Sequence, residues 1–346
     1  MKQSIHSTAD LARHLGLSRW SVSRAINGHD GVSPATAEQV RAAMEKFGFT
    51  PSAHARGLRG RRTGAIGMCF RELYTPVTIQ KIAQMQRLVS RRGFRPLLEF
   101  AELDQRMGLD VIRHFIAMRV EGVLLVDTPP GPEVAEWLKM LKKHGIPAAA
   151  VEPLGPVAFN GVHLDREEAM ARVTAELLAR GHRRFALLGI SRRFPLGRPR
   201  CAGVRRALRG HDLDPDAVID TIDHPEHRYG GLRYGRELAE QLLTRRQPPS
   251  ALLALNDEVA AGALWHLQKA GWHCPRDFSL VGFDNLVLAG QTTPALTTVD
   301  HNVDAVAAAA VEMLLQLIGL GPQARLPVVK IEPRLVVRES VGAPRS

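Results

Sequence analysis

From residue 64 onward the chain alternates short apolar runs with stretches of helical periodicity, and this alternation leaves few folds open. The runs stand at 64–70, 96–100, 122–127, 148–151, 184–188, 251–255 and 279–283, each followed by loop residues. A helical stretch at 78–92 follows the first. Strands alternating with helices predict parallel sheets covered by helices, because a parallel pair needs a long crossover that folds back over one face. In open sheets of this type ligands gather at the carboxyl ends of the strands. The polar residues ending these runs are therefore candidates: Asn256 and Asp257 end one, Asp284 and Asn285 another. Asn and Asp also cap helices and make turns, and Asp257 and Asn285 are read in that way.

The first 63 residues are different in kind. They hold ten Lys/Arg against four Asp/Glu, while the other 283 hold 36 against 31, so more than half of the net charge of +11 sits in under a fifth of the chain. A small basic head on a nearly balanced body points to an anionic partner for the head, with nucleic acid foremost. Thr8 is placed to cap a helix whose Leu11 and Leu15 share one face and which Gly16 ends. Ser18 caps a second helix, 19–26, with Val22, Ala25 and Ile26 inward and Asn27 and Gly28 as its stop. Ser33 and Pro34 open a third, with Ala37, Val40, Met44 and Phe47 on one side and Gly48 at its end. Three short helices with a tight turn between the first two describe a helix-turn-helix unit, whose second helix is the reader. A plain three-helix bundle would not need Arg19, Trp20, Ser21, Ser23 and Arg24 together on one outer face. Arginine can pair bidentately with guanine, and the short serines allow the helix to approach phosphates. Residues 50–63 form a basic linker in which Leu58, flanked by Arg56 and Arg59, has the character of a minor-groove wedge.

Length and composition close off other classes. A chain of 346 residues exceeds what one core organises, and 45% hydrophobic with 23% charged residues excludes a disordered or fibrous protein. Cys69, Cys201 and Cys274 form no CxxC pair and read as buried free thiols. No unbroken run of about 18 apolar residues and no export-signal pattern is found, which gives a cytosolic expectation with no membrane partner.

The head resembles that of the lactose-repressor and galactose-repressor family of bacterial transcription regulators. The likeness runs through Thr8, Asp10, Leu11, Ala12, then Leu15 to Ser18, then Ser21 to Asn27, and continues with Val32, Ser33, Thr36 and the 51–58 hinge. It continues in the body at 181–184, 254–262, 281–284, 293–298 and 333–340. The resemblance implies a small all-α helix-turn-helix head with a hinge, joined to an α/β two-lobed effector domain like the periplasmic binding proteins. The expected domains are 1–49 for the head, 50–63 for the hinge and 64–346 for effector binding and dimerisation. The lobes are expected at about 64–160 plus 292–325 and 161–291 plus 326–340. The expected DNA-contacting set is Ser18, Arg19, Trp20, Ser21, Ser23, Arg24, Asn27 and Ser33, with Arg56, Leu58 and Arg59 from the hinge. Trp20 is bulkier than the residues common at its place in the family.

For the body, the resemblance implies an effector pocket with Arg200, Asn256 and Asp284 as contacts. Tyr74 and Tyr229 are possible stacking aromatics. A guanidinium, an amide and a carboxylate suit sugar hydroxyls. The expected function is a regulator, a repressor by resemblance, that binds a near-palindromic double-stranded operator as a homodimer under control of a sugar or sugar derivative. The loop 71–76 departs from the family's usual pattern, which leaves a nucleobase or a sugar phosphate as alternative effectors. A sugar-acting enzyme or an exported sugar-binding protein are the rival classes. The sequence shows no GxGxxG, P-loop, HExxH or GxSxG element, and no cofactor or metal is expected.

Overall fold

The computed structural model describes residues 5, 7–26, 30–49, 63–71, 75–101, 105–129, 131–224 and 230–345, with 105–107 as backbone alone. It divides into two compact units, Met1–Thr63 and Gly64–Ser346.

The first unit consists of α1 (Thr8–Leu15), α2 (Arg19–Ile26) and α3 (Pro34–Phe47). The cap of α1 is Ser7, one residue earlier than the sequence suggested: its hydroxyl accepts from the Asp10 N–H at 3.1 Å, and Thr8 is the first helical residue. Ser18 and Ser33 cap α2 and α3, accepting from Ser21 N at 3.0 Å and Thr36 N at 3.1 Å. Gly16 and Gly48 take left-handed backbone at the ends of α1 and α3, as helix C-caps require. Leu11, Ala12, Val22, Val40, Ala43 and Phe49 form the core of the unit. The hinge residues 50–62, with Arg56, Leu58 and Arg59, and Asn27 lie outside the described residues.

The second unit begins with β1 (Ala65–Phe70), α4 (Pro76–Arg91), β2 (Arg95–Phe100), α5 (Gln105–Ala117), β3 (Gly122–Val126), α6 (Pro132–Lys143), β4 (Ala148–Val151) and β5 (Gly161–Leu164). There follow α7 (Arg166–Ala179), β6 (Phe185–Leu188), α8 (Gly197–Arg209), α9 (Pro215–Val218), β7 (Ile219–Ile222), α10 (Leu232–Leu243), β8 (Ala251–Ala254), α11 (Asp257–Lys269) and β9 (Ser279–Val281). The chain ends through β10 (Thr298–Asp300), α12 (Val303–Leu320), β11 (Val329–Ile331) and β12 (Arg334–Val336). One parallel sheet has the order β11-β5-β4-β3-β1-β2, a second β7-β6-β8-β9, and β10 pairs antiparallel with β12. These are two lobes. The chain passes between them after β5, after β10 and after β11.

The lobe limits differ from the sequence reading at two places. Gly161–Leu164 pairs with β4 and β11, so it belongs to the first sheet. Residues 297–300 go with the second lobe, because Gly282 N donates to Thr297 O and Asp284 N to Val299 O, both at 2.9 Å. β7 and β11 were missed in the sequence because they are edge strands, and Asp220 and Lys330 interrupt their apolar character. One described helix, Val303–Leu320, is long and apolar enough to cross a membrane by length and composition. Here it is a core helix: Val306, Ala307, Ala310, Val311, Leu314 and Leu317 are buried with the apolar residues of β1, β3 and β4.

Helices of the second lobe touch backbone to backbone. A Cβ added at Gly203 on α8 would stand 2.0 Å from Glu167 O on α7, and one at Gly262 on α11 would stand 2.0 Å from Leu232 O on α10. No atom lies within 4 Å of a Cβ added at Gly319, near the end of α12. Gly262→Ala is therefore expected to destabilise the second unit by at least the ~1–3 kcal/mol of an overpacked core. Gly319→Ala is expected to be neutral or stabilising by up to ~1 kcal/mol, through helix propensity. Urea unfolding of the two variants side by side checks this.

Candidate functional site

On α2 the polar residues do not all stand equally free. Ser18, Arg19 and Trp20 are exposed, Trp20 to 60%, whereas Ser21, Ser23 and Arg24 are half-buried. The Arg24 guanidinium hydrogen-bonds the Asp30 carbonyl oxygen through both Nε and Nη2 and lies 4.8 Å from the Trp20 ring centroid. It is thus engaged inside the head, and a base could take it only in exchange for these contacts. The hydroxyls of Ser18 and Ser33 are occupied in capping.

In the second unit, a cavity of about 430 Å³ opens where both sheets present the carboxyl ends of their strands. Arg71 follows β1, Asp127 follows β3, Asn256 follows β8, Asp284 follows β9 and His301 follows β10, and all line it. Thr78 and Lys81 reach it from α4, Arg166 from the start of α7 and Arg200 from α8. The segment Phe194 to Gly197 forms one wall. Arg200, Asn256 and Asp284, separated by up to 84 positions in sequence, come together here. Tyr74 and Tyr229 lie outside the described residues, and the aromatic ring on the wall is that of Phe194.

Each polar group has a definite neighbour. Asn256 caps α11, its Oδ1 accepting from Val259 N at 2.9 Å, which leaves its amide hydrogens as the group for a ligand. Asp257, read from the sequence as a capping or turn residue, is instead a fully buried carboxylate that accepts from Thr298 Oγ1 at 2.5 Å and Leu286 N at 2.7 Å. Asn285 fits its turn reading, at a φ of 54°, and its Oδ1 accepts from Arg338 at 2.7 Å. Arg200 donates to Leu255 O at 2.5 Å and covers Phe283, its guanidinium 4.0 Å from the ring centroid. Its Nε is buried without a partner. Buried Lys81 pairs with Asp127 at 3.4 Å, and Thr78 donates to the same carboxylate at 3.1 Å.

Behind the cavity, Glu152 is completely buried against Arg166 and accepts from Leu164 N at 2.7 Å, with His301 Nε2 3.9 Å away. Burial works to raise the Glu152 pKa, but the Arg166 charge, with His301, Lys81 and the Leu164 N–H, outweighs it and holds the carboxyl well below the usual range. Burial drives His301 down to about 3, so its ring is neutral. At Asp284 burial dominates and pushes the pKa up to about 7 against the pull of Arg200, with Asp257 adding to the rise. Arg200 is lowered to about 10, first by burial and then by Arg166. Asp127, Glu152 and Asp284 have φ of 51°, 53° and 107°, a region that side chains other than glycine rarely adopt. Such strain collects at sites the surrounding fold holds rigidly.

Lys81, Asp127, Arg166, His301 and Phe194 were not singled out from the sequence. Lys81 did carry a signal: a lysine on the face of α4 that also presents Val77, Ile82, Met85 and Val89 to the core is out of place unless it serves a site. Arg166 and His301 sit just past strands the sequence did not reveal.

A helix-turn-helix head followed by a two-lobed unit with a polar cleft defines a ligand-responsive DNA-binding protein. Residues 8–52 match the family described as bacterial regulatory proteins, lacI family, and residues 174–341 match the periplasmic binding protein-like domain. The chain is 26% identical to catabolite control protein A of Priestia megaterium over 310 residues, 88% of this chain and 90% of that one. The lac repressor dimer bound to operator and the anti-inducer ONPF shares its fold, with a TM-score of 0.87 over 99% of this chain and all of the other at 23% identity. The complex of the transcriptional regulator CelR with cellobiose is similar at 25% identity and a TM-score of 0.69, over 97% of this chain and all of that one. With both parts matched in order along one chain, it belongs to the lacI family of bacterial regulatory proteins.

The raised pKa of Asp284 sets a direction in pH. Between about pH 4 and 7 the folded state keeps a proton that the unfolded chain has released, so the associated stability is full below about 4 and lost as pH rises through about 7. The stability of the wild type relative to Asp284→Asn is therefore expected to decline across that interval and level off above it. Urea unfolding followed at a series of pH values measures the difference.

Proposed function

We propose that this chain is a transcriptional regulator whose α2 reads an operator and whose cleft binds a small hydroxylated effector, with no catalytic step. Double-stranded, near-palindromic DNA and a second copy of the chain are its partners, and the cytoplasm, on the nucleoid, is its place of action. The observation that carries the effector reading is the cavity of about 430 Å³, where a guanidinium, an amide and a carboxylate meet at the carboxyl ends of both sheets beside a phenyl ring. CelR in complex with cellobiose supports a sugar as the class of ligand.

For the DNA contacts, exposed Arg19 and Trp20 are the readers, and Arg24 positions Trp20 and the turn at Asp30. Control of operator affinity requires only that the effector prefer one conformation of the protein over another.

Arg19→Ala is expected to lower the ratio of operator to random-DNA affinity by roughly 5- to 150-fold, the equivalent of ~1–3 kcal/mol for a base contact. Fluorescence anisotropy with fragments flanking the coding sequence measures it, and an unchanged ratio removes Arg19 from base reading. Asp284→Ala is expected to abolish the effector's influence on operator affinity while leaving ligand-free operator binding within about twofold. Calorimetry against sugars and nucleobases, paired with anisotropy in the presence of each binder, tests this. A nucleobase binder would assign the cleft to the alternative class.

A further inference from the structure

The charges in and around the cleft do not balance as a neutral sugar would require. Lys81 is neutralised by Asp127 and Arg166 by Glu152, both within hydrogen-bonded pairs. Arg200 has only Asp284 as a facing carboxylate in the cavity, and that group is half protonated near neutral pH because it is so deeply buried. Arg200 is itself 4% exposed, makes one hydrogen bond, to Leu255 O, and keeps an unpartnered Nε. Arg71 adds a further positive charge to the lining. The wall segment that carries Phe194 is flanked by exposed Arg192, Arg193 and Arg198, and Arg198 is fixed to it through a 3.2 Å hydrogen bond to Arg192 O. A cleft with low-dielectric walls and one sign of charge at its rim concentrates ligands of the opposite sign.

We infer that the effector is an anionic sugar, bearing a carboxylate or a phosphate, whose charged group is held by Arg200 and drawn in past the arginines flanking Phe194. The inference rests on the reading of the cleft as the effector site. The hydroxyls fall to Asn256, Asp284 and the Lys81–Asp127 pair, and the ring lies against Phe194. Carboxylate and phosphate share the chemistry that this site recognises, namely compact negative charge with several acceptor oxygens that a guanidinium can meet.

The test is calorimetry on the full chain with matched sets in the gluco, galacto and manno configurations: the neutral aldose, its aldonate, its uronate and its 6-phosphate. Cellobiose, hypoxanthine and inorganic phosphate complete the panel. The expected result is that at least one charged sugar binds about tenfold or more tighter than its neutral partner, with an affinity that weakens as salt rises. The aldonate and uronate arms against the 6-phosphate arm identify which anion it is. In the double variant Arg192→Glu/Arg193→Glu, whose side chains are exposed and outside the core, the association rate of that sugar should fall several-fold. A neutral sugar or hypoxanthine binding as tightly as any charged member, a panel without a binder, or inorganic phosphate binding as well as the sugar anion overturns the inference. Anisotropy with operator DNA separates it from the regulatory reading. A neutral sugar that binds and changes operator affinity leaves that reading standing and defeats this one, and a charged sugar that binds without changing it does the reverse.

Discussion

The second unit depends on one buried ion pair. Glu152 stands at the exit of β4 in the first lobe, and Arg166 opens α7 in the second, with no water-exposed side-chain surface at Glu152. Removing one member of such a pair would strand a charge in a low-dielectric interior, at a cost of about 3–5 kcal/mol. Around the pair the fold supplies what two buried ions need: a backbone N–H from Leu164 to the carboxylate and a neutral imidazole from His301 beside both. Those neighbours lie next to two of the chain's passages between lobes, so the same few atoms set where the lobes are joined and where the cleft begins.

The cleft shows the opposite economy of charge. Desolvation there is strong enough to leave Asp284 partly protonated and to lower Arg200, while Lys81 is held by a single long contact to Asp127. Groups left incompletely satisfied at the end of parallel strands are the usual mark of a site built for a partner that the protein itself does not provide. The backbone strain at Asp127, Glu152 and Asp284 falls in the same region, which places the least relaxed part of the chain where the most rigid scaffold surrounds it.

Much of this was legible in the sequence. The three helix caps, within one residue, the central strands and the candidates Arg200, Asn256 and Asp284 could be named because local chemistry or a family likeness marked them. Hidden features share a cause. Edge strands such as Ile219–Ile222 have one solvated side and read as loop, and Arg166 and Lys81 gain their meaning only from residues 14 and 46 positions away. Asn256 shows a subtler limit: capping and ligand binding use different atoms of one amide, so the two readings of the same residue were never exclusive.

The glycine contacts between α7 and α8 and between α10 and α11 have a mechanical consequence. Helices that meet backbone to backbone cannot slide without collision, so the second lobe has little capacity to deform internally. Any displacement produced by a ligand must then be taken up by the three short passages near residues 165, 301 and 332. A force applied at Arg200 or Phe194 would turn the lobe as a lever about those passages, and its far end would travel farther than the ligand that moved it.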